Sequence, residues 1–533
     1  MKKSLPRAES ADIALLLEGT FPYVRGGVSA WVNQMILAFP QYTFACIFVG
    51  SREEDYAGLA YELPPNVVHV ETHYLYGAQY KQDVVEASEG DREAFSHVTE
   101  LHDALRNPQN REQVNAAMQA CLALTDDEGS LSEKNFLYGK LSWDYITEQY
   151  RTHCTDPSFT DYFWTVRLMH RPLWQLMKVA QKMPHARIYH TVSTGYAGFL
   201  GAVLSHKTGR PLLTSEHGIY TKERKIDLFQ NQWIQDNRSM FEKDISQVGY
   251  FRDLWVRFFE TLGHVCYDSS KQIVALYEGN RQRQLADGAP VELTMTIPNG
   301  VDVKRFRACR AQRTDKPPKV LCLIGRVVPI KDIKNFIRAM LTVVREMPEA
   351  EAWIAGPETE DAEYAQECRN LVESLDLTNH VKFLGFQKVE ELLPKCGVLV
   401  LTSISEALPL VLLEGFAAGV PAIATDVGSC RQLIEGLPGD DAALGPAGAV
   451  IRIADPAAFA AEALKLLSDN VYWHAAQAAG IARVEKYYTQ ELMVDSYRQI
   501  YSNLLTQPSE VIDTKKSTTN NAMGCPMAAA RAR

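Results

Sequence analysis

Short, unbroken apolar runs alternate along this chain with segments of helical periodicity. Asp12 to Glu18, with Ile13 to Leu17 apolar throughout, reads as a strand buried on both faces. The pair Gly26-Gly27 then precedes a helical pattern with Val28, Trp31, Val32, Met35, Ile36 and Phe39 on one face. The opening unit is therefore strand, glycine loop, helix. Further strands are expected at Tyr42 to Val49 and Val67 to Val70, after which the stretch from about 77 to 185 turns polar and mostly helical and reads as an insertion. Alternation resumes with a strand at Ile188 to Thr191, a helix over Gly195 to Lys207, a strand at Pro211 to Thr214 and the loop Ser215-Glu216-His217-Gly218.

The same rhythm repeats in the second half. Ile297-Pro298-Asn299-Gly300-Val301-Asp302 is turn-rich, and the polar stretch Arg305 to Pro318 suits an interdomain connection, which divides the chain into residues 1–304 and 319–488. Strands are expected at Val320 to Ile324, Ala352 to Ala355, Val381 to Leu384 and Val398 to Thr402, with a helix from about Ile333. Strands alternating with helices imply parallel sheets covered on both faces. A final helix, 489–506, is expected to pack back on the first domain, and residues 507–533 read as a disordered tail.

Composition narrows the class. With 533 residues, 46% hydrophobic and 23% charged, the chain has the make-up of an ordinary globular protein with a core in each domain. A formal net charge of −10 argues against a nucleic-acid partner, which would call for dense Lys and Arg. Cysteines at 46, 121, 154, 266, 309, 322, 368, 396, 430 and 525 form no C-x-x-C pair, so neither a zinc site nor a disulfide framework is expected. The apolar run at 13–17 is too short for a signal peptide, and Ala407 to Ala424 is interrupted by Pro409, Glu414, Gly415 and Pro421, so a cytoplasmic location is expected.

Candidate chemistry concentrates in the second half. Glu406 and Glu414 stand eight positions apart around an expected helix start, with Pro409 fitting the first turn. Backbone N–H groups near Leu410 and Val411 are placed to cradle a phosphate. One carboxylate would then face a sugar and the other a ribose; the alternative is that Glu406 caps the helix and Glu414 merely sits in it. Gly325-Arg326-Val327-Val328-Pro329-Ile330-Lys331 follows a strand directly, so Arg326 and Lys331 fall at the carboxyl edge of the sheet, where they could neutralise a departing diphosphate without a metal. The bland reading pairs both with neighbouring acids. No Asp-x-Asp triplet occurs, and Asp440-Asp441 in its Gly/Pro loop reads as solvated.

Together G-R-x-x-x-x-K, E-x7-E and the segment Gly419 to Thr425, preceded by P-N-G-V-D, resemble the retaining glycosyltransferases of family 4. That resemblance implies an α/β protein of GT-B fold: two Rossmann-like, doubly wound domains facing across a cleft, here with a helical insertion in the first. It further implies that Glu414 binds the donor ribose, Glu406 the donor-sugar hydroxyls, and Arg326 and Lys331 the diphosphate. Gly26 and Gly27 are similar to the family's glycine loop, His217 to the histidine that faces the donor sugar, and the stretch at Phe386 to the backbone that reads the nucleobase. A glycine pair, a lone histidine and an exposed turn each have a purely structural alternative.

The opening segment Leu15 to Ser29, with the long insertion, narrows the resemblance to glycosyltransferases of bacterial exopolysaccharide synthesis. It implies a UDP-sugar donor, a growing polysaccharide as acceptor, no cofactor or metal, and an inner-membrane export complex as partner. Two other readings stand beside it, a UDP-sugar epimerase and a non-catalytic UDP-sugar-binding subunit of a membrane synthase.

Overall fold

A computed structural model describes residues 5–77, 88–106, 110–125, 129–230, 234, 236–237 and 249–506. The tail expected at 507–533 lies outside the described residues. Two parallel sheets organise the chain. The first holds β1 (Ser10–Glu18), β2 (Phe44–Gly50), β3 (Val67–Tyr74), β4 (His185–Thr191), β5 (Leu212–Glu216), β6 (Ser270–Ala275) and β7 (Thr294–Thr296), in the order β3-β2-β1-β4-β5-β6-β7. The second holds β8 (Val320–Ile324), β9 (Glu351–Ala355), β10 (Val381–Gly385), β11 (Val398–Leu401), β12 (Ala422–Thr425) and β13 (Gly448–Ile451), in the order β10-β9-β8-β11-β12-β13.

β1 shows why the apolar runs are continuous. Ala14 and Leu16 join the core on one face, while Ile13, Leu15 and Leu17 join the core on the other. A strand covered on both sides has no solvent face to alternate with. The register is set by pairs such as Leu15 with Cys46 and His190 in the first sheet, and Val400 with Leu323 in the second. Strand order reverses at β1/β4 and again at β8/β11. At such a reversal the following loops diverge to opposite faces and leave a crevice beyond the strand ends.

Several boundaries differ from the sequence reading. β5 runs on through Ser215 and Glu216, so only His217 and Gly218 of that predicted loop leave the sheet. The polar stretch after 304 is not an open connection: Val303–Ala311 is a helix whose Val303, Phe306 and Cys309 are buried in the second domain's core. Three apolar residues at helical spacing outweigh its many charges. Between β3 and β4 the helices Arg92–Arg106, Arg111–Ala123, Glu133–Tyr138, Lys140–His153 and Phe159–Lys182 make up the insertion.

Four helices flank the candidate residues and the interdomain crossings: α1 (Gly27–Ala38), α2 (Leu410–Ala417), α3 (Asn470–Tyr487) and α4 (Gln490–Thr506). The chain leaves the first sheet through residues 297–303 and returns through 488–490. The two crossings lie side by side, joined by a parallel bridge between Val301 and Thr489 and by the bonds Val301 N–H to Tyr488 O and Gln490 N–H to Val301 O, at 2.9 and 3.0 Å. After the return, α4 buries Met493, Val494, Tyr497, Ile500, Tyr501 and Leu504 among β1 and α1 side chains of the first domain. That spacing is one stripe of an amphipathic helix.

Asp441 departs from the expectation of a solvated loop. Its side chain is 8% exposed beside a fully buried Arg483 of α3, whose Nε donates to Asp441 Oδ1 at 2.6 Å. The other guanidinium donors reach the carbonyls of Ile434, Asp441 and Gly445 at 2.7 to 3.0 Å, which anchors an otherwise largely exposed loop to α3. Asp440 next to it stays 94% exposed.

Candidate active site

Two loops meet at the β8/β11 reversal. The segment after β8 turns through Pro329–Lys331, and the segment after β11 runs from Thr402 to Pro409. Ile404 N–H donates to Ile330 O and Thr402 Oγ1 donates to Lys331 O, both at 2.8 Å. These ties bring Lys331 Nζ to 2.5 Å from Glu406 Oε1, an oxygen that also accepts from Ser403 Oγ at 2.6 Å. A third loop supports Glu406 from behind. Gly428 has φ +56 and lies so near that an added Cβ would stand 2.3 Å from Glu406 O, while Ser429 N–H donates to Ala407 O at 2.9 Å. No side chain but hydrogen fits there.

α2 opens directly after this loop. Pro409 is its N-cap, one position earlier than the sequence placed it, and the Leu412 N–H turns back to Pro409 O at 3.1 Å. No side chain caps the helix, and the first-turn N–H groups of Leu410 and Val411 have no acceptor within it. One turn on, burial raises the Glu414 carboxyl to a pKa of about 7; nearby Arg305 opposes the shift and Glu390 adds to it. Arg305 is already engaged, with its Nε 2.5 Å from Glu390 Oε1.

Arg326 does not join Lys331 and Glu406. Its Nη1 lies 2.5 Å from Glu360 Oε1, with both side chains about half exposed. An ion pair in so much water holds its partners by about 0–1 kcal/mol, little enough to be exchanged for a stronger anion. Phe386 is 73% exposed beyond β10, an edge strand two places from β8, and follows Gly385 at φ +64. Gln387 Nε2 closes that turn on Leu384 O at 2.8 Å.

The first sheet presents candidate residues at its own carboxyl edge. Gly26 caps α1 in an extended conformation, φ 168 and ψ 177, and nothing lies within 4 Å of a Cβ added at Gly26 or Gly27. Neither backbone strain nor crowding within the protein requires glycine there. His217 follows β5 and packs on the Trp31 indole of α1, ring centroids 4.4 Å apart. Burial depresses its pKa to about 3, so the imidazole is neutral, and its buried Nε2 has no hydrogen-bond partner.

Some members of this edge were not singled out from sequence. Glu18 Oε1 accepts from Tyr220 OH at 2.8 Å and Oε2 from Ala197 N–H and Ser193 Oγ at 3.2 and 3.3 Å, pinning the segments after β4 and β5 to β1. Glu216 is buried and accepts from Tyr267 OH, Tyr220 N–H, Gln284 and Thr194 at 2.7 to 3.1 Å, so desolvation raises its pKa while four donors compensate. Their only sequence signal was an acid at the end of an apolar strand. A cavity of about 510 Å³ lies on the insertion and one of about 320 Å³ between the insertion and the loops after β2 and β3; neither includes any of these residues.

Among the described residues, no group of three or more His, Cys, Asp and Glu side chains converges to hold a metal ion, and no helix is long and apolar enough to cross a membrane. Two parallel doubly wound sheets, each with one reversal of strand order, form the architecture of the GT-B class of glycosyltransferase folds. HepE from Anabaena, solved with UDP and glucose, superposes with a TM-score of 0.54 over 92% of this chain and 100% of its own, at 14% identity. Sucrose-phosphate synthase from Thermosynechococcus elongatus does so with a TM-score of 0.56 over 92% and 99%, at 15% identity.

The chain belongs to the family described as "Domain of unknown function (DUF3492)", whose model matches residues 11–292, and its residues 305–483 match "Glycosyl transferases group 1". N-acetyl-alpha-D-glucosaminyl L-malate synthase of Bacillus anthracis is 29% identical over 188 residues, 35% of this chain and 46% of that protein. The lipopolysaccharide core mannosyltransferase LpsB of Rhizobium meliloti is 27% identical over 218 residues, 39% of this chain and 60% of that protein. The chain thus spans about half the length of the curated relatives it matches.

Proposed function

We propose that this protein is a retaining glycosyltransferase that moves a sugar from a UDP-sugar, UDP-glucose or a UDP-N-acetylhexosamine, to a growing bacterial exopolysaccharide. The contact between Lys331 and Glu406 carries this reading: a cation and a hydroxyl-binding carboxylate stand side by side at the strand reversal, just before an uncapped helix start. In this reaction Lys331, with Arg326 released from Glu360, neutralises the charge that grows on the departing UDP, and the N–H groups of Leu410 and Val411 add two donors. Displacing Lys331 onto the diphosphate frees Glu406 to accept from the sugar hydroxyls. Glu414 takes the ribose, the turn at Phe386 meets the base, and Gly26 and Gly27 leave backbone exposed to the sugar.

His217 serves as a neutral hydrogen-bonding group, because a ring that titrates near 3 is not charged at neutral pH. The donor class is supported by the UDP in the complex of the similar fold, and catalysis is proposed to need no metal. The opening segment Leu15 to Ser29 and the insertion resemble PelF, the cytosolic glycosyltransferase of the Pel exopolysaccharide system. On that ground the acceptor is a Pel-type polymer, the enzyme is cytoplasmic, and an inner-membrane export complex receives the product.

The test is a panel of UDP-sugars with and without acceptor, in chelator. UDP release only with acceptor is expected; a new UDP-sugar formed without acceptor would establish the epimerase reading. Polymer production that survives Glu406→Ala in a folded protein would establish the non-catalytic one.

A further inference from the structure

α4 reaches the first domain's site from behind, although it follows the second domain in sequence. At its first turn stands Met493, 3% exposed, with a sulfur that accepts two N–H donors. One is the Trp31 indole Nε1–H at 3.2 Å, and the other is the backbone N–H of Gly300 at 3.4 Å. Gly300 belongs to the outgoing interdomain crossing and lies so close to the return that an added Cβ would meet Thr489 O at 2.5 Å and Gln490 Cα at 2.6 Å. Trp31 in turn carries the His217 ring at 4.4 Å and meets Tyr497 of α4 at 5.4 Å. A single sulfur therefore joins the interdomain crossing to the indole on which His217 rests.

The neighbouring polar groups leave this indole as the natural support of His217. His190 Nδ1 pairs with Tyr501 OH and its Nε2 with Ser215 Oγ, both at 2.8 Å, and Tyr497 OH donates to Ser215 Oγ at 2.9 Å. Those bonds fix the β4 and β5 ends without engaging His217, whose Nε2 stays unpartnered. With Nε2 unpartnered, the Trp31 indole is the aromatic support of that ring, and Trp31 has its only polar atom on Met493.

We infer that Met493 is a positioning residue: by holding the Trp31 indole it sets the angle at which His217 meets its ligand, and it makes that angle depend on how the two domains are arranged about the 300/489 crossing. The ligand part of this statement rests on the proposed glycosyl transfer; the ring orientation does not. N–H to sulfur bonds are weak singly, yet an indole N–H buried without an acceptor is costly, so replacing the sulfur moves the ring.

Met493→Leu keeps volume and apolarity, which cores tolerate well, and Trp31→Phe keeps an aromatic support without the donor. With histidines labelled on the ring and His217 assigned from His217→Asn, Met493→Leu is expected to shift the His217 resonances and leave those of His380, in the second domain, unchanged. In turnover, each single variant is expected to lower kcat about threefold to tenfold, with donor KM and UDP affinity within twofold of wild type. The double variant is expected to be no worse than the poorer single one, because both remove the same bond. Unmoved His217 resonances, losses that multiply in the double variant, or UDP affinity falling in step with kcat would each overturn the inference. A wild-type protein that turns over no UDP-sugar would instead count against the proposed function, and the resonance shift would still decide the role of Met493.

Discussion

Lys331 Nζ and Glu406 Oε1 lie 2.5 Å apart with side chains only 18% and 14% exposed, so each charge is balanced by the other. On the proposed function, a diphosphate entering the site would compete with Glu406 for the ammonium. Lys331→Ala is expected to weaken UDP binding about tenfold to a hundredfold, the worth of a hydrogen bond to a charged group. Glu406→Gln is expected to keep UDP affinity within threefold while kcat falls about a hundredfold. Calorimetry with UDP and an assay of UDP release separate the two.

The glycine loop gives a cleaner separation of fold from ligand. Because Gly26 is extended and has open space where a Cβ would project, Gly26→Ala is expected to leave the free energy of unfolding within about 0.5 kcal/mol of wild type. If a phosphate or sugar approaches that backbone, the same change lowers kcat/KM for the donor at least about tenfold. Denaturant unfolding and steady-state kinetics on one preparation check both halves.

Glu414 should make nucleotide binding depend on pH. Its folded pKa of about 7 lies above the ordinary 4.5, so the folded state holds the proton between those values and loses stability as pH rises through them. For the ligand the sense is opposite: the ionised form accepts hydroxyl hydrogens better. UDP affinity is expected to fall about tenfold from pH 8 to pH 6, and Glu414→Gln is expected to reduce that change to the part due to UDP's own ionisation. Titration calorimetry across the range measures it.

His190 and His217 predict acid sensitivity. Burial holds both near 3, below the ordinary 6.5, so the unfolded chain binds more protons and stability drops as pH falls from 6.5 toward 3. The loss is about 1.4 kcal/mol per pH unit per histidine well below 6.5. In urea melts between pH 7 and 5, His217→Phe is expected to flatten the slope by the share of one histidine.

Arg483 and Asp441 make the remaining prediction. With the guanidinium fully buried, Arg483→Ala strands the Asp441 carboxylate and several carbonyls, at a cost of about 3–5 kcal/mol. Asp440→Ala, on the exposed neighbour, is expected to change unfolding by less than about 0.5 kcal/mol.

The contrast between Asp440 and Asp441 shows where sequence reasoning stops. Both sit in the same Gly/Pro loop, and nothing local distinguishes them; an arginine 42 positions away on α3 decides which is buried. Arg326 and Lys331 make the same point. Both stand at a strand end by spacing alone, but only Lys331 is turned onto Glu406, because Thr402 and Ile404 tie the two loops together.

By itself the sequence determined that this is a doubly wound α/β protein in two halves, since apolar runs and helical stripes are properties of neighbouring residues along the chain. It also marked Glu406, Glu414, Lys331, His217 and the glycine pair as candidates, by their places after strands or at a helix start and by the resemblance of their motifs to a known family. Which carboxylate meets which cation, how deeply His217 is buried, and that Met493 touches both Trp31 and Gly300 were decided by tertiary structure alone. Those contacts join residues up to 462 positions apart, and burial, partner and proton affinity all depend on that distant company.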